Sequence, residues 1–259
     1  MRILFVGDIF GECGRGIFLS SLPELRLQRD IDMVVVNGEN SAHGRGITTS
    51  ISDAFFDAGV DVITMGNHVW NNRDIYDILA ANRRVLRPAN LPASNPGSGS
   101  VAVDMGETRV GVINLLGQIY LDACDCPFEA AKREVEKLKK QECKIIIVDI
   151  HAEATSEKAA MGWMLDGKVS AVLGTHTHIQ TADERILPKG TGYITDVGMT
   201  GAYNSVLGMD KSAIVERFVT KLPQNFQVAD GKAQFNGVIM DIDNAGGKCE
   251  KIERVFFTD

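Results

Sequence analysis

The chain has 259 residues, of which 44% are hydrophobic and 24% charged, and its formal net charge at pH 7 is −7. This composition is typical of a globular protein with a sizeable core, and the acidic balance argues against nonspecific duplex binding, which needs a basic face. No apolar run reaches the ~18 residues of a membrane helix, and the start of the sequence does not read as a signal peptide. We expect a cytoplasmic protein without a membrane partner, with its five scattered cysteines as free thiols.

The first half of the sequence alternates strand and helix signals. The apolar run Arg2–Gly7 is followed by a helical pattern over Gly16–Arg29, where Pro23 predicts a helix start near residue 21 or a kink. Short β-branched runs bounded by glycine and polar residues predict buried strands at Met33–Gly38 and Val62–Gly66. Helices are expected over Thr48–Ala58 and Asn71–Asn82, and a loop over Arg87–Gly99.

The second half continues with strands at Ser100–Met105 and Arg109–Leu116, a charged amphipathic helix over Pro127–Gln141 and a helix near Ser156–Leu165. Strands are also predicted at Lys144–Ile150, Ala171–Gly174, Arg185–Leu187, Tyr193–Thr195, Ala233–Ile242 and Cys249–Phe257, with a short helix near Lys211–Phe218. The pattern predicts an α/β fold in which two mixed β-sheets pack face to face between helices. We expect a single domain over residues 1–259.

Five of the predicted strands each run into residues that can bind a metal ion. In a parallel sheet the carboxyl ends of the strands share one edge, so these side chains are expected to meet. Oxygen and nitrogen donors together suit Mn, Fe, Zn or similar ions. Two histidines spaced i, i+2 on an extended segment would face the same way. The candidate ligands are Asp8, Glu39, Asn40, Asn67, His151, His176 and His178.

Each of these residues also has a purely structural interpretation. Asp8 and Asn67 could cap helices, Glu39-Asn40 could form a turn, and His151 could be a buried structural histidine. Their occurrence in order at five strand ends favours the metal interpretation. His68 adjoins a candidate ligand but is itself left over, and is therefore the candidate general acid.

The strings at these strand ends resemble those of the calcineurin-like metallophosphoesterase superfamily. Two departures are informative: Phe10 stands where the superfamily usually has histidine, and Gly-Glu-Asn replaces the usual Gly-Asp. Both departures resemble the motif pattern of the bacterial YmdB-like branch. The matching strings are Gly7-Asp8, Gly38-Glu39-Asn40, Gly66-Asn67-His68, His151 and Gly174-Thr175-His176-Thr177-His178.

The resemblance implies a four-layer α-β-β-α sandwich with two divalent or mixed-valence metal ions, Fe or Mn before Zn, bridged by Glu39. One ion would be held by Asp8, Glu39, Asn40 and His178. The other would be held by Glu39, Asn67, His151 and His176.

The resemblance also implies a phosphodiesterase that hydrolyses substrates such as 2′,3′-cyclic nucleotides through a metal-bridging hydroxide. Two alternatives stay open: a phosphomonoesterase or nucleotidase, and a regulatory protein that binds a nucleotide or RNA at a metal site. The sequence also leaves open a homo-oligomeric state and the roles of Arg15, His43 and Arg45, which lie in or beside glycine-rich loops.

Overall fold

The computed structural model describes residues 1–259 and contains two β-sheets and six α-helices. The first sheet consists of β1 (Arg2–Val6), β2 (Met33–Asn37), β3 (Val62–Thr64), β4 (Val85–Leu86), β11 (Gly201–Ala202), β12 (Ala233–Ile242) and β13 (Cys249–Thr258). The second consists of β5 (Ser100–Met105), β6 (Thr108–Leu116), β7 (Ile145–His151), β8 (Ala171–Thr175), β9 (Arg185–Ile186) and β10 (Gly192–Ile194). The helices are α1 (Gly11–Gln28), α2 (Thr49–Asp57), α3 (Ile75–Ala81), α4 (Pro127–Lys140), α5 (Thr155–Leu165) and α6 (Lys211–Thr220).

Both sheets are mixed, with a parallel centre and antiparallel additions. In the first sheet the order is β11-β12-β1-β2-β3-β4 with β13 beside β12, and β1 to β4 run parallel. In the second the order is β5-β6-β7-β8-β10-β9; β6, β7, β8 and β10 run parallel to one another, and the outer strands β5 and β9 are antiparallel to them. The parallel strands therefore point their carboxyl ends toward one edge of each sheet.

Three hydrophobic clusters show that the chain forms four layers. One cluster lies between the first sheet and its helices, and includes Leu4 of β1 and Phe18 of α1. The alternate side of β1, including Phe5, packs with Ile147 of β7 in a cluster between the two sheets. The third cluster joins the second sheet to α4 and α5. The predicted α-β-β-α sandwich is confirmed, because successive residues of each central strand face different clusters.

Several details differ from the sequence-based expectations. Helix α1 begins at Gly11 and continues through Pro23, so the predicted start near residue 21 was wrong. The side chains of Ile17, Phe18 and Leu22 are buried against the first sheet, and this burial outweighs the single backbone hydrogen bond that proline cannot donate. The short strands β4 and β11 were not predicted, because two residues are too few to show a period. None of the helices has the length and apolarity that crossing a membrane requires.

Candidate metal centre

The carboxyl ends of β1, β2 and β3 in one sheet and of β7 and β8 in the other meet at a single cleft. Asp8 and Asn67 follow β1 and β3, Glu39 and Asn40 follow β2, and His151 is the last residue of β7. His176 and His178 follow β8. The adjoining cavity has a volume of about 280 Å³ and is lined by Phe10, Glu39, Asn40, Gly44, Arg45, His68, Glu153, His176, Thr177, His178, Leu207 and Met209.

Four of the predicted ligands converge on one point beside His151. Its Nε2 lies 3.0 Å from Glu39 Oε1, 3.0 Å from Asn67 Oδ1 and 3.0 Å from His176 Nδ1. One ligand atom from each of Glu39, His151 and His176 can be chosen so that all three lie within 4.8 Å of one another. These four residues are the set that the family resemblance implies for a single ion, and they include both nitrogen and oxygen donors.

The other predicted set contains acceptor atoms that the protein leaves without donors. Asp8 Oδ1 and Asn40 Oδ1 are buried and accept no hydrogen bond. Asn40 Nδ2 donates to Gly44 O at 3.1 Å, which fixes the direction of the amide oxygen. His178 Nδ1 donates to Leu207 O at 3.0 Å, which leaves Nε2 as an acceptor 4.0 Å from Asp8 Oδ1. Buried acceptors without a partner are costly, so this donor set fits a cation.

The charges in the cleft also favour a cation. Burial raises the pKa of Asp8, because a buried carboxylate is poorly solvated. Burial alone would raise the pKa of Glu39 too, but the adjacent His151 lowers it to about 2. Burial disfavours the charged form of His151, yet Glu39 and Asp8 outweigh it and raise the pKa of the imidazole to about 9. The two carboxylates thus favour positive charge at the imidazole, where a bound metal ion would compete with the proton.

The imidazole of His151 is held by a buried chain of hydrogen bonds that the sequence analysis missed. His151 Nδ1 lies 2.8 Å from Thr175 Oγ1, and Thr175 Oγ1 donates to Asp149 Oδ1 at 2.7 Å. Thr64 Oγ1 donates to Asp149 Oδ2 at 2.6 Å, and burial raises the pKa of Asp149 to about 6. With Nδ1 engaged in this chain, Nε2 faces the cleft. The available signal was an aspartate inside the apolar run KIIIVDI.

Both histidines of the His176–His178 pair reach the cleft, but not in the way the sequence suggested. The prediction placed them on an extended segment, whereas φ is +98° at His176 and +66° at His178. The backbone of this segment bends, and alternation along a strand does not explain the shared direction of the two rings. Asp8 Oδ2 accepts a hydrogen bond from His176 N at 3.1 Å, and His176 Nε2 lies 3.2 Å from Glu153 Oε2.

Steric crowding explains why position 66 holds glycine. A Cβ at this position would lie closer than 3.0 Å to Glu39 Oε2 and to the His151 ring. The glycine that precedes Asn67 thus leaves room for two of the candidate ligands.

His68, the predicted general acid, lines the cavity beside Asn67. Its backbone N–H donates to Glu39 Oε2 at 2.9 Å, and its Nδ1 lies 3.0 Å from Asn71 Oδ1. His68 Nε2, whose one contact is Asn67 Nδ2 at 3.5 Å, is the ring nitrogen that can serve a bound molecule.

The structure places Arg15, His43 and Arg45, whose roles the sequence left open, in three different surroundings. Arg45 lines the cavity and makes no side-chain hydrogen bond. Arg15 instead donates to the backbone oxygen of Ser41, and so supports the loop that carries Asn40. His43 lies in a different cavity, of about 730 Å³, formed by α1 and the C-terminal residues.

Comparison with known proteins identifies the family. A family model described as "YmdB-like protein" matches residues 4–255. The chain belongs to the YmdB-like family. It is 48% identical over 259 residues to the "2′,3′-cyclic-nucleotide 2′-phosphodiesterase" of Bacillus subtilis, and the match spans 100% of this chain and 98% of that protein. This confirms the family that the strand-end strings indicated.

Solved structures of similar proteins share the whole fold. A hypothetical protein from Thermus thermophilus, 39% identical, superposes with a TM-score of 0.93 over 100% of both chains. A Mycoplasma pneumoniae structure described as a novel phosphatase, 36% identical, has a TM-score of 0.93 over 100% of this chain and 93% of that one. A putative 5′-nucleotidase from Staphylococcus aureus, 17% identical, has a TM-score of 0.59 over 98% of this chain and 54% of that one, and shares the fold alone.

Proposed function

We propose that this YmdB-like protein is a metal-dependent phosphodiesterase that opens 2′,3′-cyclic nucleotides. The observation that carries the proposal is the convergence of Glu39, Asn67 and His176 on His151 Nε2, beside the unpartnered buried oxygens of Asp8 and Asn40. The substrate class is taken from the name of the Bacillus subtilis relative, which is similar over the full length of this chain.

The residues sort into two sets of ligands that share one carboxylate. Glu39 Oε1 faces His151, while Glu39 Oε2 accepts the His68 N–H on the other side of the carboxylate. We assign one ion to Asp8, Glu39, Asn40 and His178, and the other to Glu39, Asn67, His151 and His176. The mixture of imidazole, amide and carboxylate donors suits iron or manganese, with zinc as the third candidate.

The side chains around this centre have distinct parts in the proposed reaction. Two bound cations would supply the Lewis acidity that activates water and offsets charge on the phosphoryl group. In its imidazolium form, His68 would give the Nε2 proton to the departing 2′ oxygen as the P–O bond to that oxygen breaks, with Asn71 holding the opposite ring nitrogen. Arg45 would bind a phosphate oxygen that takes no part in bond breaking.

The remaining features suit an enzyme that works inside the cell. The five cysteines are all free thiols, which is typical of a reducing compartment, and we place the protein in the cytoplasm. Cleavage of RNA by attack of a 2′ hydroxyl on the neighbouring phosphodiester leaves a 2′,3′-cyclic phosphate, so the proposed substrate connects this enzyme to the products of RNA breakdown.

The test compares a cyclic diester with a monoester. Protein loaded with Mn²⁺ is assayed on 2′,3′-cyclic AMP and on 3′-AMP, and the ratio of kcat/KM is measured. We expect faster turnover of the cyclic diester with release of a 3′-monophosphate. Faster turnover of the monoester would favour the phosphatase alternative, which the Mycoplasma pneumoniae relative's description as a "putative phosphatase/phosphodiesterase" keeps in view. Tight binding of 2′,3′-cyclic AMP without turnover would favour the regulatory alternative.

A further inference from the structure

A fully buried ion pair lies directly beneath the loop that carries His176 and His178. Lys158 Nζ donates to Asp196 Oδ2 at 2.6 Å, and neither side chain has any exposed surface. Lys158 comes from the first turn of α5, and Asp196 follows β10. Because neither residue lines the cavity, the pair has no direct contact with a substrate.

Asp196 joins this pair to the backbone of the histidine loop. Its Oδ2 accepts hydrogen bonds from Thr177 N at 3.0 Å and from Thr177 Oγ1 at 2.7 Å. Its Oδ1 accepts from Gly198 N at 2.8 Å, and its own N–H donates to Thr181 Oγ1 at 2.9 Å. The residue between the two histidines is therefore fixed through one carboxylate.

The loop needs such a support because its backbone is unfavourable. Non-glycine residues with positive φ, such as His176 and His178, persist only where surrounding contacts impose that conformation. A buried ion pair is itself a poor source of stability, since desolvation offsets much of the attraction between the two charges. The desolvation free energy that burial of Lys158 costs is explained if the pair maintains the geometry of the loop.

We propose that Lys158 and Asp196 are positioning residues for the metal centre. Lys158 fixes the Asp196 carboxylate, Asp196 fixes Thr177, and Thr177 holds His176 and His178 at the distance that the two ions require. This inference rests on the proposed role of the two histidines as ligands. Because one histidine is assigned to each ion, loosening the loop weakens both positions together.

The experiment measures the affinity for Mn²⁺ alone, by calorimetry and by metal content after dialysis. We expect Lys158→Met to lower the affinity by about 10–100-fold, the usual effect of removing a residue that orients a ligand. Thr177→Val removes one hydrogen bond to Asp196 and keeps the ion pair, and we expect a smaller loss in the same direction. At saturating Mn²⁺ the kcat of Lys158→Met should recover toward wild type with KM for the substrate unchanged.

Arg87→Met is the matched control, because Arg87 is also buried but donates to Pro88 O and Pro96 O and does not line the cavity. We expect it to lower the melting temperature and leave Mn²⁺ affinity unchanged. An affinity within twofold of wild type in Lys158→Met, or an equal loss in Arg87→Met, overturns the positioning role. If wild-type protein binds no Mn²⁺, the proposed function itself fails, whichever variant is compared.

Discussion

Gly66 gives a direct test of how tightly the candidate ligands are packed. A Cβ here would lie closer than 3.0 Å to Glu39 Oε2 and the His151 ring, whereas ordinary contacts begin at 3.4 Å. In Gly66→Ala these atoms must therefore move by more than about 0.4 Å, which exceeds the ~0.2 Å tolerance of metal coordination distances. Since both side chains are almost fully buried, they cannot swing into solvent.

We expect Gly66→Ala to impair metal binding and turnover far more than it impairs folding stability. Overpacking of this kind costs about 1–3 kcal/mol, which corresponds to a melting temperature roughly 2–12 °C lower. Metal content should fall at both positions, and kcat/KM should fall by up to ~100-fold, the effect of a misplacement near 1 Å. The assays are elemental analysis, thermal unfolding and turnover of 2′,3′-cyclic AMP.

Gly16→Ala is the control for this substitution. Gly16 lies within α1, and a Cβ there would meet no atom within 4 Å. We expect unchanged metal content and stability that is equal or higher by about 0.5–1 kcal/mol, because alanine is favoured over glycine within a helix. If Gly66→Ala retained both metals and full turnover, our assignment of Glu39 and His151 as ligands would be refuted.

Three further substitutions test separate parts of the proposed mechanism. His68→Ala should retain both metals and lower kcat by about 10²–10⁴-fold, the usual contribution of a general acid; loss of metal would instead make His68 a ligand. Glu39→Gln should lower the metal content at both positions by elemental analysis, and loss of a single ion would contradict a bridging role. Arg45→Ala should weaken inhibition by inorganic phosphate about 10–100-fold, as expected for a charge-assisted hydrogen bond worth ~1.5–3 kcal/mol. Arg73→Ala removes the same charge from an exposed residue outside the cavity and should leave inhibition unchanged; equal effects of the two arginine substitutions would rule out a specific contact.

Much of the fold could be predicted because its signals are local. The β-branched runs that became β1, β2, β7 and β8 each bury every residue or nearly so, and such strands have a recognisable composition. A ligand at the end of such a strand can be predicted without knowledge of distant contacts, since sheet geometry brings strand ends together. The four-layer architecture follows from strands whose two faces are both apolar.

The parts that could not be predicted depend on contacts between distant residues. The positive φ of His176 and His178 occurs beside a hydrogen bond from Thr177 N to the distant Asp196, and no pattern within the His-x-His string reveals it. The role of Asp149 depends on Thr64 and Thr175, which lie far from it in sequence. The early start of α1 reflects burial against a sheet, which outweighs the local signal of Pro23.

Candidate ligands come from strands of both sheets, with Asp8, Glu39 and Asn67 on one and His151 and His176 on the other. Ions held among them would therefore fasten the two halves of the sandwich at its rim, where the hydrophobic contacts between sheets come to an end. Packing of the two sheets and catalysis would then both depend on the same bound ions. A chain whose sheets had not yet closed on each other could neither retain its metals nor cut a phosphodiester.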